Sequence, residues 1–231
     1  MRLVQKEQIR KMRNRVIKFF SKSKPNPDIE VSQGWQECLD KQLCEICEKA
    51  IDETYFYYTR DIMSLLRQGA SPNAKDKYGN TPLIYVSRGG LYKAAKVMLN
   101  QGAKANERNN RGITALMWAA HYGKTKTCEL LLENNAGINA RDNEGRNALI
   151  FSAILHRSET CKLLVSKGAD ISVSDIYGKT ALAYAKENQP YRKDAKETAT
   201  FLSKLIMGMA EKMIGEENFD LFMANSRECI N

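Results

Sequence analysis

The chain alternates short apolar stretches with polar turns at a fixed interval. In the stretch that begins at Asn109, Ala115-Leu-Met-Trp-Ala-Ala120 is small or apolar throughout, the pattern of a short helix buried over most of its surface. Thr114 precedes it and can cap its first turn through the hydroxyl. Gly123 ends it, since glycine takes positive φ at low cost. Thr125 to Glu133 predict a second helix with Leu130, Leu131 and Leu132 toward a core, closed by Asn134-Asn135. An extended Ile138-Asn-Ala then leads to the next polar turn.

The same frame recurs every thirty-three residues, marked by Gly79, Gly112, Gly145 and Gly178 with no insertion or deletion between them. A period of this length predicts an all-α stack of repeats, none of which can bury its apolar face alone. The substitutions within the frame follow backbone physics. The glycine ending the second helix is Gly69, Gly102 and Gly168, and once Asn135. The glycine between the helices is Gly90 and Gly123, and then His156. Asn and His tolerate the left-handed region better than most residues, so His156 is assigned a backbone role rather than a catalytic one.

Thr81-Pro-Leu-Ile and Thr114-Ala-Leu-Met resemble the Thr-Pro-Leu-His box of the ankyrin repeat, and Gly69-Ala-Ser-Pro-Asn-Ala-Lys-Asp resembles its hairpin segment. The resemblance covers about residues 43–206. It implies a solenoid of about five helix-turn-helix units (43–75, 76–108, 109–141, 142–174 and 175–206) joined by short β-hairpin-like turns, with helical caps at both ends. The family's box histidine is replaced by Ile84, Met117, Ile150 and Ala183, so apolar packing must substitute for its hydrogen bonds between repeats. The resemblance also implies a non-enzymatic scaffold that binds a partner protein on a concave surface of turn tips and first helices. Carried onto this chain, the contact residues are Lys77, Tyr78, Asn80 and Arg88; Asn110, Arg111, Ile113, His121 and Tyr122; Asn143, Glu144, Arg146, Ile154 and Leu155; and Ile176, Tyr177, Lys179 and Glu187. Tyr78, Arg111, Tyr122, Arg146 and Tyr177 are the expected anchors, because Tyr and Arg are frequent hot-spot residues. Tyr85, Trp118, Phe151 and Tyr184 form a second ladder, read as packing between repeats.

The ends depart from the frame. Trp35, Leu39, Leu43, Ile46 and Ala50 follow helical spacing and predict a capping helix over about 34–51, after which Tyr55-Phe-Tyr-Tyr58 leads into a helix ending at Gly69. Those aromatics are read as core and capping contacts. Near the other end Pro190 interrupts the last unit. A long helix follows, over about 193–214, with Ala195, Thr198, Leu202, Leu205, Met209 and Met213 along one stripe. Its second half, with Met207 and Ile214, reads either as a cap or as a methionine-rich partner groove, and Phe219, Leu221, Phe222 and Met223 suggest a last apolar turn. Residues 207–231 are therefore a C-terminal cap or tail.

Charge separates one further element. Residues 1–24 hold nine basic side chains and one acid, whereas the remaining 207 residues hold 27 bases and 26 acids. The body is nearly neutral, so nucleic acid is not expected as its partner. Within residues 3–20, Ile9, Met12, Val16, Phe19 and Phe20 share one helical face, and Arg10, Lys11, Arg15 and Lys18 lie opposite. Lys24-Pro-Asn-Pro-Asp28 then forms a stiff linker, which sets 1–32 apart from the repeat domain 33–206. Four readings stay open for this segment: an anionic membrane surface contacted through Arg10, Lys11, Arg15, Lys18, Phe19 and Phe20; extra capping of the array; a targeting sequence; or a nucleic-acid or nuclear-import patch.

With 43% hydrophobic and 27% charged residues the composition is that of a soluble protein. Neither a secretory leader nor a stretch long enough to span a membrane is visible. The expectation is a monomeric cytoplasmic protein, membrane-associated if residues 1–24 act in that way. Cys128 and Cys161 fall in the same place of successive repeats and read as small core residues. Cys38, Cys44 and Cys47 lie on the first predicted helix. The Cys44-x-x-Cys47 pair lacks a second such pair and the chain has only His121 and His156, so buried thiols are expected rather than a metal site. No phosphate-cradling loop, nucleophile elbow or zinc-protease motif is present. Neither catalysis nor a cofactor is expected.

Overall fold

The computed structural model describes residues 33–49, 56–187 and 193–214, with side-chain surroundings for 36–49, 60–187 and 194–209. The chain divides into two compact units, residues 1–37 and 38–231. Of the first, only residues 33–37 are described, as the opening of helix α1 (Gln33–Lys49). The basic segment, including Arg10, Lys11, Arg15, Lys18, Phe19 and Phe20, lies outside the described residues.

The second unit continues with α2 (Phe56–Arg67), α3 (Pro82–Gly89), α4 (Tyr92–Asn100), α5 (Ala115–His121), α6 (Thr125–Glu133), α7 (Ala148–Ile154), α8 (Ser158–Ser166), α9 (Ala181–Glu187) and α10 (Lys193–Ile214). Among the described residues there is no strand, only an isolated antiparallel bridge between Ser174 and Thr180. The helices form two layers. Helices α3, α5, α7 and α9 stack in sequence as the inner layer, and α2, α4, α6, α8 and α10 stack as the outer one. Each of α3, α5, α7 and α9 also packs on the outer helix that follows it.

Inner helices of seven or eight residues are too short to persist by themselves. Packing and capping hold them. The Thr81, Thr114 and Asn147 side chains each accept a hydrogen bond from the backbone N–H three residues on, at 3.3, 3.4 and 3.0 Å. Pro82 occupies the first helical turn of α3, where a missing N–H costs nothing. Ala119, Ala120 and Ala153 are fully buried and let neighbouring helices approach closely. In the box position, Ile84, Met117 and Ile150 are buried, as expected of an apolar substitute, while Ala183 in the last inner helix is half-buried.

Polar links between repeats exist, but elsewhere in the frame. The Asn73 side chain donates to the Gly102 carbonyl at 2.9 Å and accepts from the Lys104 N–H at 2.8 Å. Asn106 does the same to Asn135 and Gly137, at 2.8 and 2.7 Å, and Asn139 to Gly168 and Asp170, at 3.5 and 2.8 Å. The fourth position of this series is Ser172, whose N–H and hydroxyl turn back to Asp170. Three amide clamps thus fasten the ends of α4, α6 and α8 to the repeat before them.

Asn135 and His156 adopt φ of 60° and 55°, the left-handed conformation that their place in the frame requires. Cys44, Cys47, Cys128 and Cys161 are buried. Burial pushes the Cys44 and Cys128 thiols up to about 12 and Cys161 to about 11, and raises Cys47 as well. Cys38 departs from the expectation and is exposed, because six residues before Cys44 place it about 120° round the helix. Leu132 also differs, being half-buried beside the buried Leu130 and Leu131.

The first helix starts and ends within two residues of the expected bounds, and α10 matches them. The stripe on α10 is shorter than expected. Ala195, Thr198, Ala199 and Leu202 are buried, but Met207 and Met209 are 44% and 48% exposed. The outer layer ends with α10, which packs on α8 and α9. The side chains of Trp35, Tyr55 to Tyr58, Met213 and Ile214, and all of Phe219 to Met223, lie outside the described residues. No helix among those described is long and apolar enough to cross a membrane.

Candidate partner-binding surface

Four short turns precede the inner helices, and each is organised by one side chain. Asp76, Asn109, Asp142 and Asp175 are thirty-three residues apart. In each, Oδ1 accepts the backbone N–H two residues on, from Tyr78, Arg111, Glu144 and Tyr177 at 2.8 to 3.0 Å. It also accepts the N–H four residues on, from Asn80, Ile113, Arg146 and Lys179 at 2.8 to 2.9 Å. Such side-chain-held turns are stiff. They are also joined to one another. The Asn110, Asn143 and Ile176 N–H groups donate to the carbonyls of Tyr78, Arg111 and Glu144 at 3.0, 3.0 and 2.9 Å. The Asn110 and Asn143 side chains reinforce this through the Lys77 and Asn110 carbonyls, at 3.2 and 3.0 Å. The tips therefore form one continuous hydrogen-bonded row.

The second polar side-chain atom of each turn residue is satisfied in its own way, and this explains the ladder residues. Tyr85 donates to Asp76 at 2.5 Å and Tyr184 to Asp175 at 2.6 Å. Burial, and then the hydrogen bond to Asp175, push the Tyr184 hydroxyl up to about 12. Burial would raise Asp175, but Tyr184 and the Lys179 and Tyr177 N–H groups outweigh it and hold the carboxyl below its usual range. In the third turn the ladder residue is Phe151, which cannot donate, and Arg146 takes over with contacts of 3.0 and 2.7 Å to Asp142. In the second turn the ladder residue is Trp118 and the turn residue is the uncharged Asn109, whose amide donates to Asn80 at 2.8 Å. Among the described residues the middle rungs alone meet, edge to face, with Trp118 and Phe151 centroids 6.3 Å apart. The tyrosine rungs anchor their own turns.

The expected contact residues differ in exposure. Tyr78, Ile176 and Tyr177 are 55%, 63% and 71% exposed at the tips. Lys77, Asn110, Arg111, Asn143 and Glu187 are exposed as well. Lys77 lies over the Tyr78 ring at 4.9 Å, and Arg111 faces Glu144 at 3.6 Å. Glu144, Lys179, Ile154, Leu155, His121 and Tyr122 are half-buried. Lys179 is paired with Glu187. Three residues do not fit the expected role. Ile113 is 1% exposed, as an apolar side chain withdrawn from water. Arg146 is committed to Asp142 and Glu144, with its side chain 14% exposed, so it braces the turn. Asn80 is engaged with Tyr85 and Asn109.

At the C-terminal ends of α3, α5 and α7 an aromatic cluster joins the inner layer. Trp118 stacks on Tyr122 at 5.9 Å, and His121 meets Trp118, Tyr122 and Phe151 edge-on at 5.7, 5.1 and 5.8 Å. Arg88 lies over both Trp118 and Tyr122, 5.3 and 5.4 Å from their centroids. Burial holds His121 below its usual range, although its Nδ1 is 3.3 Å from the Phe151 carbonyl, and Arg157, Arg146 and Arg88 add to the lowering. Sequence reasoning missed Arg157, whose Nε donates to the His121 carbonyl at 3.2 Å. Its frame mates are Leu91 and Lys124, so no periodic signal marks it. The clamp residues Asn73, Asn106 and Asn139 were in plain register and could have been found.

No curated protein matches the chain. The family described as ankyrin repeats (3 copies) matches residues 50–142 and 135–205. Those ranges cover more than half of the sequence and most of the two helical layers, including all four turns and the aromatic cluster. The chain belongs to the ankyrin-repeat family.

Proposed function

We propose that this chain is a non-enzymatic scaffold that binds a partner protein across its concave turn tips and inner helices. Ankyrin repeats are generally protein–protein interaction modules without chemistry of their own. The observation that carries the reading here is the exposure of Tyr78, Ile176 and Tyr177 on turns that are already hydrogen-bonded into one row. Large side chains held on a stiff frame lose little ordering entropy on binding. On this reading the five units run from about 43 to 206, with α1 and α10 closing the stack.

The test is substitution of the tips. Tyr78→Ala, Arg111→Ala and Tyr177→Ala should leave the melting temperature nearly unchanged, since exposed tips contribute little to folding. After affinity capture of a partner by the full chain, at least one of them should weaken binding by more than about 1 kcal/mol. If all three bind like the parent, this surface is not the site.

The separation of charge favours a second role, anchoring to an anionic membrane through residues 1–24. Each Lys or Arg near such a bilayer contributes up to about 1 kcal/mol. The intact protein should co-sediment with phosphatidylserine-containing vesicles at low salt and lose this at 1 M salt, where the Debye length is about 3 Å. Phe19→Ser with Phe20→Ser should weaken it at unchanged charge. Failure to co-sediment at low salt ends this reading.

A further inference from the structure

We propose that Arg88, with Trp118 and Tyr122, forms a subsite for a carboxylate: an Asp or Glu of the partner, flanked there by an apolar residue. The inference rests on the scaffold reading and adds the chemistry that the partner must present.

Most cations of this face are paired. Arg111 faces Glu144, Arg146 is held by Asp142 and Glu144, and Lys179 pairs with Glu187. Arg88 is different. Among the described residues it makes neither a hydrogen bond nor an ion pair, and its Nε is buried with no acceptor. Its contacts are the faces of Trp118 and Tyr122. A cation over an aromatic ring is stabilised through its charge, which leaves the Nε–H without an acceptor and the terminal N–H groups free to take one. A guanidinium in that condition matches a carboxylate, which accepts two parallel hydrogen bonds.

The surroundings favour the same ligand. Arg157 is held at the His121 carbonyl, and among the described residues it too has no carboxylate partner. Gly123 gives its stem room, since a Cβ there would fall 2.8 Å from the Arg157 Cδ. The half-buried rings of Trp118 and Tyr122 offer apolar surface directly beside the unpaired charge. An acidic residue with an apolar neighbour would neutralise the first and cover the second. The groove on the outer helices is a poorer candidate for a charge-selective site, because Glu129 and Glu133 line it together with Arg60, Arg67, Lys93 and Lys126.

The experiment uses random dodecapeptides displayed on phage, selected on the immobilised full chain. The enriched peptides are then synthesised and their affinities measured by fluorescence anisotropy. Enrichment of Asp or Glu beside an apolar residue is expected. Arg88→Gln should weaken such peptides at least tenfold, and Arg88→Lys should retain part of the affinity, since it keeps the charge without the planar fork. Changing the peptide's Glu to Gln should cost the parent as much, and should cost the Arg88→Gln protein little more, because interacting partners are not additive. That peptide-side change needs no protein variant, so the result stands even if Arg88→Gln perturbs folding. Peptides enriched without acidic residues, or losses that simply add, overturn the subsite. If those acid-free peptides still require Tyr78 or Tyr177, the scaffold reading survives alone. If no peptide is selected, or none responds to any of these substitutions, both fall.

Discussion

Leu131→Ala is expected to cost about 2–5 kcal/mol, the range for removing a fully buried leucine that leaves a cavity. Leu131 is 0% exposed. It sits in α6, which packs on α5 in its own repeat and between α4 and α8 in the outer layer. A loss at this point weakens two interfaces as well as one repeat. In a stack whose stability is a sum of repeats and nearest-neighbour contacts, a weakened centre also loosens the coupling between the two ends. Urea unfolding followed by far-ultraviolet circular dichroism should therefore show a lower midpoint and a shallower transition. Leu132→Ala is the internal control: the neighbouring residue is half-buried and should cost clearly less. Equal losses at the two positions, or a loss below about 1 kcal/mol at Leu131, would contradict the packing described.

The period of thirty-three made most of the fold legible, because each unit repeats the same capping, helix-ending and turn residues. Thr114, Asn135 and His156 were readable for a reason that depends only on local backbone geometry. The surface was less so. Ile113 occupies the same place in its turn as Asn80, Arg146 and Lys179, and register alone marks all four as contact residues. The pairing of Arg146 with Asp142 depends on what the ladder residue of that turn can donate, and Phe151 can donate nothing. That is a relation between positions nine residues apart on facing elements, in which a tyrosine hydroxyl, a guanidinium or an uncharged asparagine serves the same turn. The end of the apolar stripe on α10 was hidden for a different reason. Helical spacing shows which residues share a face, but not where the neighbouring helices stop.

The four turn glycines look identical in sequence, yet Gly112→Ala and Gly178→Ala should differ in cost. Their φ values are 75° and 74°, so an alanine at either meets the same left-handed strain, which exceeds about 1 kcal/mol. Their surroundings are not alike. A Cβ on Gly112 would fall 2.4 Å from Asn143 Oδ1, 2.5 Å from an Arg108 nitrogen and 2.9 Å from the Asn143 backbone nitrogen, while among the described residues a Cβ on Gly178 meets nothing within 4 Å. The two side-chain neighbours could turn away, at the loss of the Arg108 hydrogen bond to Arg141 and the Asn143 bond to Asn110. The backbone nitrogen cannot move freely, because it donates to Arg111 in the row that joins the tips. Gly112 thus carries both the strain of its own turn and the approach of the next one. Gly178 is in the last turn of the series and has no following turn to meet. Gly178→Ala should cost that strain alone, somewhat more than about 1 kcal/mol, and Gly112→Ala about 1–3 kcal/mol beyond it, as the broken inter-turn bonds add to it. Matched denaturant titrations measure the difference. Equal costs would mean that the turn row bends to accept a methyl group, and the stiffness on which the scaffold reading relies would go with it.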